Sequence, residues 1–199
     1  MRRAAALLFA CVVLTVAAGT ASGAQSEVHV SGGEAETELS FELHADDEPL
    51  NYWEAAVSLP DDARVTSVRD TEGEVDWSFD DGVLEFETNT GVPRESEEVT
   101  VEYVVDDAVV EEFGSLRVVE VTVVGLGRGD GATATVTADE DLLSASTPHG
   151  FDVEVDGDGA TFEGEGSVTV RVAVGDDDGE YDNYAVFGDG DLSEADDLY

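Results

Sequence analysis

The chain has 199 residues with eight arginines, no lysine and 48 acidic residues, a formal net charge of -40. That sign sets aside nucleic acid and anionic membrane surfaces as partners, and an apolar content of 42% sets aside a disordered acidic chain. Such a surface opposes compaction in dilute buffer, whereas molar salt shrinks the screening length to about 3 Å, so the composition fits a protein adapted to brine.

The absence of isoleucine and lysine is what a GC-rich genome gives. The same bias supplies arginine generously, so the acidity needs its own cause, and a halophilic source provides one.

Met1-Arg2-Arg3 is a basic start, and residues 4–18 form an apolar run of fifteen. Ser22-Gly23-Ala24 fits a small-x-small cleavage rule. This layout predicts a signal peptide over residues 1–24, removed on export, because the run falls short of the ~18 residues of a spanning helix. The product is expected to be secreted or held at the cell surface. The Arg2-Arg3 pair leaves general or twin-arginine export open. Cys11, the one cysteine, lies in this signal, so the mature chain folds without a disulfide.

From Glu27 onward the pattern is that of strands. Apolar residues alternate with polar ones at Leu39, Phe41 and Leu43, at Val75, Trp77 and Phe79, and at Val99, Val101, Tyr103 and Val105. The pattern continues at Val119, Val121 and Val123, at Phe151, Val153 and Val155, and at Val168, Val170, Val172 and Val174. Period two places each set on one inward face, with acids toward solvent. Trp77 is therefore expected in the core. Trp53, beside Asn51 and Tyr52, has no such register, and a glycan platform there needs exposure. Asp80-Asp81-Gly82 and Asp156-Gly157-Asp158-Gly159 read as hairpin turns.

The stretch from Val65 to Tyr103 is echoed from Leu142 to Val172. The echo predicts an all-β fold of two tandem antiparallel β-sandwiches, immunoglobulin-like, over residues 27–108 and 113–176. Acidic hairpins resemble one another, so a single larger sandwich stays open.

No catalytic constellation is visible. His29, His44 and His149 are scattered, and no Gly-x-Ser-x-Gly elbow occurs. The glycine-rich run from Gly125 to Gly131 lacks the Lys-Ser/Thr ending of a phosphate loop and reads as a turn. Asp152, Glu154, Asp156, Gly157 and Glu163 match positions of a calcium loop, yet Glu at the third position, Gly159 at the eighth and the strand alternation favour a hairpin. Calcium candidates are thus limited to turn carboxylates at Asp156 and Asp158 and in the cluster Asp176, Asp177, Asp178 and Glu180. No other cofactor is expected.

Residues 180–199 behave differently. Tyr181, Tyr184 and Phe187 form an aromatic extended piece, and Gly188-Asp189-Gly190 breaks it. Asp191 with Glu194 forms a capping box for a short C-terminal helix. Leu192, Leu198 and Tyr199 share its apolar face with Ala195 and, with the aromatic piece, are candidate interaction residues. An eight-residue helix needs a surface to dock on.

The segment from Glu180 through Asp191-Leu192-Ser193 to Tyr199 is similar to the entry into a gluzincin-type zinc metallopeptidase domain, and the chain resembles the N-terminal, non-catalytic β region of haloarchaeal exported proteins. The resemblance implies β domains ahead of a catalytic part. The family's His-Glu-x-x-His helix does not occur in this sequence, so no catalytic residue carries over. Three expectations follow: an exported β-sandwich protein binding a protein or cell-surface component without catalysis; the non-catalytic region of a secreted zinc peptidase; or a calcium-dependent adhesive module. Oligomeric state stays open.

Overall fold

Every regular element is a strand among the residues that the computed structural model describes, 15–16, 19–46, 48–126, 131–147, 151–156, 159–175, 184–186 and 192–194. In chain order they are β1 (Thr15–Val16), β2 (Gly19–Ser31), β3 (Glu34–Ala45), β4 (Leu50–Ser58), β5 (Ala63–Asp70), β6 (Gly73–Glu74), β7 (Trp77–Asp80), β8 (Val83–Arg94) and β9 (Ser96–Val105). There follow β10 (Val109–Phe113), β11 (Leu116–Val123), β12 (Gly131–Ala138), β13 (Asp141–Ser146), β14 (Phe151–Asp156), β15 (Gly159–Glu165), β16 (Val168–Gly175), β17 (Tyr184–Val186) and β18 (Leu192–Glu194). Burial follows the alternation. On β3, Leu39, Phe41 and Leu43 are buried while Glu36, Glu38 and Glu42 face solvent.

One sheet has eight strands in the order β14-β15-β12-β2-β3-β9-β5-β6, and two have four, β1-β4-β8-β7 and β10-β11-β16-β13. Ala24, Val28 and Val30 share one face of β2, yet Ala24 belongs to the first core and Val28 and Val30 to the second. Both small sheets therefore pack on the same face of the large one.

The echo seen in the sequence is a repeat of wiring. In the first sandwich β2-β3-β9-β5 faces β4-β8-β7, and in the second β10-β11-β16-β13 faces β12-β15-β14. The immunoglobulin-like expectation is corrected in one respect. That order sets the fifth strand with the first, second and fourth, and the seventh with the third and sixth. Here the fifth and seventh exchange sheets. The seventh strands, β9 and β16, carry long apolar alternation and take central places, whereas β7 and β14 are short or exposed and lie at edges.

The two sandwiches fuse through a parallel ladder of β12 on β2, from Ala132 opposite Ala24 to Ala138 opposite Val30. Without it both strands would present open edges. The first core is built from Trp53, Tyr103, Phe41, Phe86 and leucines, with the Phe41 and Phe86 rings 6.3 Å apart. The second is mainly valine and alanine around Phe162. Truncating a fully buried residue such as Leu39 to alanine costs about 3 kcal/mol.

Two glycines are required by geometry. Asp81 and Gly82 both have positive φ (47° and 74°), as a two-residue hairpin of this hand demands. A Cβ on Gly125 would lie 2.3 Å from the Gly166 backbone, so the chain crosses there only without a side chain.

Two expectations are revised. Leu192–Glu194 pairs as a strand with Tyr184–Val186, so these residues do not form the C-terminal helix. Tyr184 and Val186 favour extended backbone, and an eight-residue helix has too few turns to offset its nucleation. Trp77 is 40% exposed although it faces inward opposite Phe86, because β7 is the edge strand of its sheet. Trp53, on the central strand β4, is instead the fully buried tryptophan. At the other end of the chain, Gly19 to Ser22 pair with Ala45 to Glu42 and Ala21 and Ala24 are buried, so residues ahead of the expected cleavage point extend β2.

Candidate functional site: the open face of the large sheet

The outward face of the eight-stranded sheet carries a groove of about 730 Å³ over β12, β2, β3, β9 and β5. Register sets Thr135, Glu27, Glu38 and Glu102 in one row across four strands. The next row is Thr137, His29, Glu36, Val104 and Arg64. Strands lie about 4.8 Å apart, so Glu27, Glu38 and Glu102 stand as direct neighbours of like charge. Such pairs are destabilising unless a counter-charge intervenes. Arg69 reaches Glu102, and Arg64 donates to Asp106 at 2.8 Å. That hydrogen bond holds the Asp106 carboxyl below its ordinary range and raises the guanidinium. None of the described arginines pairs with Glu38.

A second cluster pins the parallel seam. His29 Nε2 lies 3.1 Å from Asp139 Oδ1, and its Nδ1 lies 3.2 Å from the Thr137 hydroxyl. Ser31 donates to the other Asp139 oxygen at 2.6 Å. The Ser31 hydroxyl, then His29, lowers the Asp139 carboxyl. A hydroxyl, an imidazole and a carboxylate in line resemble a nucleophile relay. Here all three are exposed on an open sheet, and the Thr137 amide sits within a strand rather than in an oxyanion hole. The cluster ties β2 and the segment ending β12 together, with Asp139 N also donating to the Val30 carbonyl.

A third cluster lies under the β8–β9 turn. Glu97 has no exposed side chain and takes hydrogen bonds from Arg94 at 2.7 Å and from the Thr71 amide at 3.0 Å and hydroxyl at 2.5 Å. Arg94 also pairs with Glu72 at 2.6 Å. The hydrogen bond to Glu97 raises the Arg94 guanidinium. Arg117 pairs with Glu140, and Arg171 with Glu120 at 2.5 Å. Each of the five described arginines is therefore in an ion pair.

Zinc does not fit the described residues. No three of His, Cys, Asp and Glu are gathered to hold a metal ion among them. His44 Nε2 is engaged by Ser22 at 2.8 Å, and His29 by Asp139. Of the calcium candidates, Asp156 is exposed at the end of β14 opposite Gly159, with the surrounding segment a β14–β15 hairpin. Asp158, Asp176, Asp177, Asp178 and Glu180 lie outside the described residues, as do Tyr181, Phe187, Leu198 and Tyr199. Tyr184 and Leu192 fall on β17 and β18. The glutamate row and the seam cluster were not singled out in the sequence. Outward alternation marks each residue, but only strand pairing brings them together.

No protein-family model matches the sequence, and no curated protein matches it by sequence. Among solved structures the chain is similar to leukotriene A4 hydrolase from Saccharomyces cerevisiae, with a TM-score of 0.51 and 11% identity over 84% of this chain and 30% of that one. It is also similar to the M1 zinc metallopeptidase from Deinococcus radiodurans, with a TM-score of 0.45 and 14% identity over 80% of this chain and 42% of that one. The likeness to the yeast enzyme is one of fold. The chain spans less than half the length of either structure.

Proposed function

We propose that this chain is a non-catalytic β module of an exported zinc-metallopeptidase-like protein, adapted to concentrated salt. The observation that carries the reading is the shared fold over 84% of the chain with 30% of the yeast hydrolase. It is supported by the similarity of residues 180–199 to the entry into a zinc peptidase domain, and by a sequence with no His-Glu-x-x-His. In this reading zinc and hydrolysis belong to other polypeptide, and these residues supply scaffolding outside the cytoplasm. The acidic open face is its surface toward solvent cations or a basic partner protein.

The test is zinc content and peptide hydrolysis of the purified chain in molar salt. Neither stoichiometric zinc nor turnover is expected. Turnover that rises and falls with bound zinc would overturn the reading.

A further inference from the structure

Residues 19–24 carry two meanings. As sequence, Ser22-Gly23-Ala24 fits the small-x-small rule for a cut after Ala24. In the fold, the same residues open β2. Gly19, Thr20, Ala21 and Ser22 pair with Ala45, His44, Leu43 and Glu42 of β3. Ala21 and Ala24 are buried in the first core. Ala24 is also the first rung of the parallel seam, opposite the buried Ala132.

Each residue of the expected cut site has a structural role unrelated to cleavage. The Ser22 hydroxyl lies 2.8 Å from His44 Nε2. The register between β2 and β3 shifts between Ser22 and Gln25, and Gly23 sits in that bulge with a φ of 70°. A side chain there is strained by the backbone, whereas the cleavage rule makes no demand on its middle position. Ala24 is small where the two sandwiches meet in a close-packed interior. A cut after Ala24 would strip four rungs from β3, the first rung from the seam and both alanines from the core. By contrast, β1 contributes only a two-residue pairing at the edge of its sheet, so its loss costs little.

We propose that the leader is cut ahead of Gly19, so that residues 19–24 stay in the exported protein as the start of β2. This rests on the export reading above and relocates its processing site. Residues 1–18 still hold the basic start and the whole apolar run, and their number falls within the roughly 15–30 of a secretory signal.

The test is the first residue of the native exported protein, read by mass spectrometry of its amine-labelled N-terminal peptide. A start at or just ahead of Gly19, behind a removed leader, is expected. A start at Gln25 overturns the proposal and leaves export standing, whereas an uncut chain starting at Met1 in the cytoplasm overturns both. Two variants separate processing from folding. Ala24→Val puts a branched residue where a cut after position 24 needs a small one, yet the N-terminus should not move; accumulation of uncut precursor would overturn the proposal. Gly23→Ala should also keep the N-terminus and should lower the melting temperature at molar salt by about 2–4 °C. An unchanged melt would mean that residue 23 is not held in the sheet, and would overturn it as well. Where Ala24→Val fails to fold, the start of the wild-type protein decides.

Discussion

Glu38 and Glu102 are directly opposed across β3 and β9, with Glu27 beside Glu38 on β2. Three carboxylates in a row are tolerable where counter-ions are abundant and costly where they are not. The open face is thus a local source of like-charge repulsion that added salt screens.

Removing the middle charge should therefore matter only at low salt. Glu38→Gln is expected to raise the melting temperature by about 2–4 °C at tenth-molar salt, from relief of up to about 1 kcal/mol. It should leave the value unchanged at molar salt. Thermal melts across a salt series check this. An equal shift at both ends would assign the effect to packing.

Glu97 should behave in the opposite way. Its carboxylate is shielded from solvent and held by Arg94 and Thr71. Glu97→Ala leaves those donors without their acceptor and is expected to cost about 3 kcal/mol. Because the site is buried, the loss should persist at molar salt. Denaturant unfolding of the variant at low and high salt reads both quantities.

Acid should act on the seam. Asp139 is lowered below the ordinary carboxylate value by Ser31 and His29. A lowered folded pKa means the carboxylate stabilises above the unfolded value and loses that contribution as pH falls through the folded one. The melting-temperature advantage of wild type over Asp139→Asn is expected to be full near about pH 5 and to vanish toward about pH 2. Melts at constant high salt test the sign, and a gap that widens on acidification would refute it.

The two tryptophans should report separately. Trp53 is 1% exposed and Trp77 40%. Trp77→Phe is expected to leave a blue-shifted emission nearly immune to acrylamide, while Trp53→Phe leaves a quenchable one. Comparable quenching of both variants would contradict the placement of β7 at the sheet edge.

How much of this was legible beforehand depended on whether a feature was local. Valine alternation marked β9, β11 and β16, and the Asp-Gly turn gave the β7–β8 hairpin with its positive φ at Asp81 and Gly82. The echo of residues 65–103 in 142–172 anticipated a repeated sandwich. Non-local features escaped. Nothing in the sequence around Val28 announces a parallel partner at Val136. The exchange of the fifth and seventh strands depends on which long strand competes for a central place. Trp77 was assigned the right face, but its exposure depends on edge position, which periodicity does not encode. The helix expected after Asp191 relied on a capping box, and strand pairing prevailed at Leu192–Glu194.

The most direct test of the account is to capture the native protein by antibody from medium and cell-surface fractions in high salt, and to measure its intact mass and zinc content. The account predicts recovery of this β module together with zinc-bearing polypeptide, continuous with it or bound to it. Recovery of the chain alone, at the mass of its own residues and without zinc, would contradict it.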